Sequence, residues 1–365
     1  MTDPASSRRE FLTGRSALRQ VEHAGNQLAD HLTHRSPPEA GATIRLETRA
    51  MACPWCVVLN PVLPQTVMAA SHALDLVHIL EQQLTVYRDD SEVSLLNQQA
   101  ASAPQAVEER LFHLFERALA FHRETAGAFD PTSGELILLW RRCRNEGRIP
   151  TQAEIDGALT RTGMDRLVTF DTETRTLAFQ QPGVRFDLGA IGKGYAIDRI
   201  TEELRDAGLD DFLVHGGFSS LYARGDHNGQ GGWPVGIRNP LFTDQRYATV
   251  LLRNQGMATS GSNIQYFRHD GKRYGHILDP RTGWPADKLL SVTVLAPTAE
   301  EADAVSTAFY ALGLEKAREY CDTHRSLGAL LIPPPAQGRT LEPVVCNIPD
   351  DALFFGAGEI DESAW

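Results

Sequence analysis

Three glycines set among nine residues constrain this chain more than its length does. In Asp187-Leu-Gly-Ala-Ile-Gly-Lys-Gly-Tyr195 an apolar run ends in an aspartate, and a helical pattern takes over near Tyr195. Glycine lets the backbone approach a ligand or another backbone closely, and a helix start leaves N–H groups without intrahelical partners. The corner is an anion site by geometry, or a strand-to-helix turn that needs glycine for sterics alone. Its GxxGxG spacing matches neither the dinucleotide fingerprint nor the P-loop.

The elements around this corner alternate without a fixed order. Apolar runs predict strands over 44–48 and 55–60, closed by Pro61 and Pro64. Helical spacing follows through Val67, Leu74, Leu76, Val77, Leu80 and Leu84, and again from Val107 to Leu119. Short strands are predicted over 165–170, 175–179, 184–187, 211–215, 247–253 and 290–296, with a Gly-rich loop from Asp226 to Pro234 and a helix over 298–312. No repeat is visible. This order predicts an α+β fold, mixed sheets with packed helices in a single large catalytic domain over 44–332, rather than a doubly wound parallel sheet. A polar N-terminal extension (1–43) and a C-terminal tail with little core (333–365, from Pro333-Pro334-Pro335) flank it.

Charge and cysteine usage remove some functions. A formal net charge of −12 argues against a general nucleic-acid binder, which needs Lys and Arg on phosphates. Any anionic ligand must be held by backbone dipoles, a few cations or a metal. The five cysteines are too scattered for a disulfide scaffold, yet Cys53-Pro-Trp-Cys56 raises a thiol redox reading. Such a motif belongs at a helix N-terminus, whereas here alternation along a strand-like run puts the thiols on opposite faces. Arg8-Arg9 with Phe11-Leu12 resembles a twin-arginine export signal, but Arg15, Arg19, Glu22, His23 and Asp30 interrupt the apolar stretch of about 7–15 residues that export needs. No run approaches the roughly 20 apolar residues of a transmembrane helix. A cytoplasmic location is expected.

Three further stretches could carry chemistry. In Ala296-Pro-Thr-Ala-Glu-Glu-Ala-Asp-Ala-Val-Ser-Thr-Ala308, Thr298 and Glu301 form a capping box, and Val305, Ala308, Phe309 and Leu312 form the apolar stripe. Asp303 and Thr307 sit four apart on the other side, where adjacent oxygens suit Mg²⁺ or make a solvated polar face. His276, in the run from Tyr274 to Gly283, is a general base or a structural residue. In Phe129-Asp-Pro-Thr-Ser-Gly134, Asp130 is a ligand contact or a cap at the helix start.

Taken in order, Met51-Ala-Cys-Pro-Trp, the Tyr87 to Asn97 segment, Gly127-Ala-Phe-Asp-Pro-Thr-Ser-Gly, the Asp187 corner, Met257-Ala-Thr-Ser-Gly-Ser, His276-Ile-Leu-Asp-Pro-Arg-Thr-Gly-Trp-Pro and Ser291 to Ala308 resemble the blocks of the FAD:protein FMN transferases, the ApbE family, over about residues 44–332. The resemblance implies Mg²⁺-dependent transfer of the FMN half of FAD to a Thr or Ser hydroxyl of an acceptor protein, releasing AMP. It implies that Asp303, Thr307 and Ala190 hold the metal, that Met51, Tyr87, Ala128, Phe129, Asp130, Asp187, Lys193 and Leu278 contact FAD, and that His276 activates the acceptor hydroxyl. Members of that family are often exported; with Arg8-Arg9 followed by no usable apolar stretch, the acceptor expected here is a cytoplasmic protein or a cytoplasm-facing membrane redox subunit. One departure stands out: Val214-His-Gly-Gly-Phe-Ser-Ser220 carries Phe218 where the family commonly has an acid. FAD hydrolysis to FMN and AMP, or FAD binding without chemistry, are the competing readings.

Overall fold

The strand pair that opens the fold is closed by two residues, Met51 and Ala52, both with left-handed φ (48° and 59°). In this computed structural model residues 42–262 and 266–359 are described. Arg8-Arg9 and nearly all of the expected 1–43 extension lie outside them.

In chain order the elements are β1 (Ile44–Ala50), β2 (Cys53–Leu59), α1 (Pro64–Leu84), α2 (Glu92–Gln99), β3 (Gln105–Ala106), α3 (Glu109–Glu124), α4 (Gly134–Asn145), α5 (Gln152–Leu159) and α6 (Met164–Leu167). There follow β4 (Val168–Asp171), β5 (Thr176–Phe179), α7 (Gly192–Asp206), β6 (Phe212–Gly216), β7 (Ser220–Arg224), β8 (Trp233–Arg238), β9 (Gln245–Leu252) and β10 (Gln255–Gly261). The chain ends with β11 (Tyr266–His269), β12 (Lys272–Gly275), β13 (Ser291–Ala296), α8 (Ala299–Leu312), α9 (Leu314–Thr323), β14 (Gly328–Ile332), β15 (Val344–Cys346) and β16 (Leu353–Glu359).

The described residues separate into two units. The smaller takes Pro234–Leu251 and the chain from Pro349 onward, and carries the three-stranded sheet β16-β9-β8. The larger, Gly41–Trp233 with Leu252–Ile348, is built on an eight-stranded sheet in the order β1-β2-β6-β7-β10-β13-β14-β15. Neighbouring strands in that sheet run antiparallel, as hairpins such as β1–β2 and β6–β7 require. The α+β class is as expected, with antiparallel sheets rather than mixed ones.

One face of the large sheet forms the core. Trp55, Val57 and Leu59 of β2, Phe212 and Val214 of β6, Val292 and Val294 of β13, and Ala329 and Leu331 of β14 join the buried sides of α1, α7 and α8. Burying one such Leu or Phe contributes about 1.5–3 kcal/mol. α8 is covered on nearly every side, Asp303 included. Its first turn lies against bare backbone twice: a Cβ on Gly194 would meet the Ala299 carbonyl oxygen at 2.3 Å, and one on Gly256 the Ala299 nitrogen at 2.5 Å. A second cluster gathers Leu136, Trp140, Ile155 and Tyr274, with Trp284 and Leu278 against it.

Four expectations are corrected. Residues 184–187 form no strand, only a single parallel bridge from Arg185 to Ser133. The 165–170 run begins as the short helix α6, because Gly163 (φ 131°) breaks the backbone just before it. α7 starts at Gly192, inside the glycine corner. The stretch after Ile332 supplies β15 and β16, where little core was expected; a three-residue strand shows no periodicity in sequence.

Candidate functional site

α7 aims its first turn at a carboxylate of the chain itself. Gly194, without a side chain, donates its N–H to Asp303 Oδ2 at 3.0 Å, and Ser220 at the start of β7 donates its hydroxyl to Oδ1 at 3.0 Å. Lys193 Nζ stands 3.7 Å from the same Oδ1. The glycine corner is therefore an anion site as well as a steric corner, and Asp303 takes part of it. Unpaired burial of such a carboxylate would be costly; the helix start, a hydroxyl and an ammonium offset it.

Thr307, one turn on, is half-buried. Its Oγ1 donates to the Asp303 carbonyl oxygen at 3.2 Å and lies 3.3 Å from Ser260 Oγ, which also touches Ser306 Oγ at 2.9 Å. Of the two readings of this helix face, the solvated one is removed: α8 presents Asp303 and Thr307 inward, to α7 and β10. Among the described residues no three His, Cys, Asp or Glu side chains converge. A cation here would be held by one carboxylate with hydroxyl and main-chain oxygens, an all-oxygen set that fits a hard ion keeping few protein ligands. Ala190 lies two residues before α7 and four before Gly194, whose N–H meets Asp303.

The first sequence block reaches the same neighbourhood. Met51 N–H donates to Glu81 Oε1 at 2.6 Å, which fixes the strained β1–β2 turn on α1. Cys53, next along, has its thiol pushed up by burial against the opposing pull of the Lys193 ammonium. Cys56, on the other face of β2, is pushed up to about 11 by burial. Both thiols sit on a strand, without a helix N-terminus to stabilise a thiolate, so the redox reading has no structural support.

Tyr87, 69% exposed, carries Arg141 on its ring at 4.8 Å and accepts from Arg141 Nη2 at 2.6 Å. Asp187 is raised by burial, held down in part by its bond from Gly189 N–H and by the charge of Arg141. Arg141 thus links Tyr87 to Asp187. The Ala128–Asp130 segment runs beside Asp187, whose N–H donates to the Pro131 carbonyl at 2.8 Å. Asp130 itself turns inward: its oxygens accept from Thr132 N, Thr132 Oγ1 and Met164 N. It caps α6 rather than α4, so what this loop offers a ligand is main chain, with Ala128 and Phe129 buried beneath.

His276 is exposed just after β12, and Leu278 pairs with Pro285 two residues on. A contact chain ties this segment to α8: Gly275 lies against Ser262, where a Cβ would come within 2.6 Å, and Ser262 Oγ meets Tyr310 Oη at 2.6 Å, three residues beyond Thr307. Phe218 follows Gly217 (φ 64°), holds a left-handed φ of 57°, is 46% exposed and stacks on His215 with centroids 4.7 Å apart. Sequence reasoning missed Arg141, Glu81, Ser220 and Ser260. Each acts from a distant element; Ser220, at the end of Val214-His-Gly-Gly-Phe-Ser-Ser220, and Ser260, within Met-Ala-Thr-Ser-Gly-Ser, stood in stretches already singled out, whereas Arg141 and Glu81 did not.

A sequence model described as ApbE family matches residues 43–331. A protein named FAD:protein FMN transferase from Treponema pallidum is 36% identical over 287 residues, 74% of this chain and 79% of that protein. The solved ApbE protein of Thermotoga maritima superposes with a TM-score of 0.73 at 30% identity, covering 82% of this chain and 96% of that one. The flavin transferase ApbE of Vibrio cholerae gives a TM-score of 0.72 at 26% identity, over 84% and 97% of the two chains.

Proposed function

The chain belongs to the ApbE family, and from that membership we propose that it transfers the FMN moiety of FAD to a Thr or Ser hydroxyl of an acceptor protein, using Mg²⁺ and releasing AMP. The acceptor oxygen bonds the FMN phosphorus, the pyrophosphate bridge breaks, and the hydroxyl proton leaves through a base. The observation that carries this reading is the Asp303 node, where α7, Lys193, Ser220 and α8 meet on one buried carboxylate.

In this reading Asp303, the Thr307 hydroxyl and the Ala190 main chain hold the ion. Bound there, Mg²⁺ would neutralise charge developing on the phosphates. Lys193 adds a fixed positive charge beside it. Met51, Tyr87, Ala128 to Asp130, Asp187 and Leu278 grip FAD, Tyr87 with its ring already oriented by Arg141. His276, open to solvent, takes the proton of the incoming hydroxyl. That exposure also favours a second reading, hydrolysis of FAD to FMN and AMP with water in place of the acceptor.

Incubation with FAD, Mg²⁺ and a threonine peptide separates the readings: FMN added to the peptide supports transfer, free FMN with AMP supports hydrolysis, and neither product supports bare binding. Asp303→Ala should abolish metal-dependent turnover and the rise in melting temperature that Mg²⁺ gives the parent. A variant that keeps both would remove the ion from Asp303.

A further inference from the structure

A cleft of about 530 Å³ opens between the β11–β12 hairpin, the 282–290 loop and the end of α8. Its walls are aromatic, with Tyr266, Tyr274, Tyr310 and Trp284. Its cations lie on those rings: the Arg273 guanidinium is 3.8 Å from the Tyr266 centroid, and Lys272 Nζ is 5.4 Å from that of Tyr274. Lys288 adds a third, its ammonium 3.4 Å from the carbonyl oxygen of Leu312, which closes α8. Of the two acids on the wall, Asp279 is matched by Arg281 through two bonds of 2.8 Å; the other charged residues of the lining are Asp287, Lys272, Arg273 and Lys288. In a chain with a net charge of −12 this is a local reversal of sign.

Position gives the cleft its meaning. β12 leads directly into His276, and Tyr310 sits three residues past Thr307 on α8. Of the residues that grip FAD in the proposed reaction, Met51, Tyr87, Asp187 and Lys193 take no part in the lining. The volume falls within the roughly 300–1,000 Å³ typical of a ligand pocket, enough for a few residues of peptide and too small for a folded domain.

We propose that this cleft docks the acceptor polypeptide, taking an extended segment whose carboxylate side chains flank the Thr or Ser to be modified and meet Arg273, Lys272 and Lys288. The proposal rests on the transferase reading. Aromatic faces hold the segment's apolar atoms, while the cations select against basic sequences.

The test uses the full-length protein and its double charge reversal, Lys272→Glu with Arg273→Glu, both exposed positions on the hairpin. Two short peptides of equal length serve as probes, each with one threonine, flanked by aspartates in one and by lysines in the other. FAD affinity, FAD breakdown without peptide, peptide binding to the FAD-loaded protein and FMN transfer are all measured. Expected is a loss of about tenfold or more in binding and transfer of the aspartate peptide, a gain for the lysine peptide, and unchanged FAD affinity and breakdown. Unchanged handling of both peptides would overturn the docking site. A parallel fall in FAD affinity would give the cleft to the nucleotide instead. If the parent transfers FMN to neither peptide while splitting FAD, the transferase reading fails first and takes this proposal with it.

Discussion

At Thr307 the side chain that seemed to stand beside the Asp303 carboxylate hydrogen-bonds the Asp303 main chain instead, and only the i,i+4 spacing was legible from sequence. The thiols make the same point. Cys-Pro-Trp-Cys drew attention by its spacing, yet burial raises both of its thiols, while Cys346, unremarkable in sequence, is held below the usual thiol range by a hydrogen bond from the Cys321 thiol. Iodoacetamide near neutral pH should therefore label Cys346 well before Cys53 or Cys56, and Cys321→Ala should slow that labelling; mass mapping with Cys53 labelled first would contradict this. His215 gives a pH prediction. It is buried on β6 with neither ring nitrogen hydrogen-bonded, and burial, helped by Arg45, lowers it from 6.5 to about 4. Between those values the unfolded chain binds a proton that the folded chain refuses, so stability falls as pH drops, by up to about 3 kcal/mol. Asp198 opposes this. Burial raises it to about 7, so the folded chain keeps a proton that the unfolded chain has released, and stability falls as pH rises toward neutrality. The readout is thus a difference: melting curves of His215→Phe should lose less stability on acidification than those of the parent, and equal slopes would refute the assignment.

The start of α8 shows what an element reveals before folding. Thr298 does cap it, accepting from Glu301 N–H at 3.2 Å, which is one half of the expected capping box; among the described residues no return bond from Thr298 N–H to the Glu301 side chain completes it. The other free donors of the first turn, Ala299 N–H and Glu300 N–H, go to the two oxygens of Asp198 at 2.9 and 2.8 Å, across about a hundred residues of chain. The Glu300 side chain is clasped by Arg117 at 2.6 and 2.7 Å. Local signals fixed the helix; contacts from α7 and α3, silent in sequence, fixed where it lies. Gly194 is the hinge of that placement. Gly194→Ala must push its methyl into the Ala299 carbonyl, so α7 and α8 separate at a cost of about 1–3 kcal/mol and Asp303 loses its N–H partner. Gly157→Ala on α5, with nothing within 4 Å, is the control, neutral or up to about 1 kcal/mol stabilising. Thermal melting with FAD turnover checks the pair, and two variants alike in both would refute the close helix contact.

On the scale of the whole molecule, the family match ends at residue 331, one residue before β14 does, yet the large sheet does not. β14 is buried along its full length, and β15 pairs with its outer edge through Ala329 to Cys346, Leu330 to Val345 and Leu331 to Val344. The turn after β15 is locked as well: Asn347 Nδ2 donates to the carbonyls of Cys321 at 2.8 Å and Leu327 at 3.0 Å. Three prolines and a strand of only three residues hid this closure in the sequence, which reads as a tail. Without β15 the apolar edge of β14 would present unpaired N–H and C=O groups, a template for another chain. Chains ended after Ile332 and after Ile348 isolate the effect, because both lose β16 and only the first loses β15. The shorter should melt at lower temperature and self-associate on size exclusion, while the longer stays dispersed. Equal melting and equal dispersion of the two would mean that β14 tolerates an open edge and that the fold is complete where the family match stops.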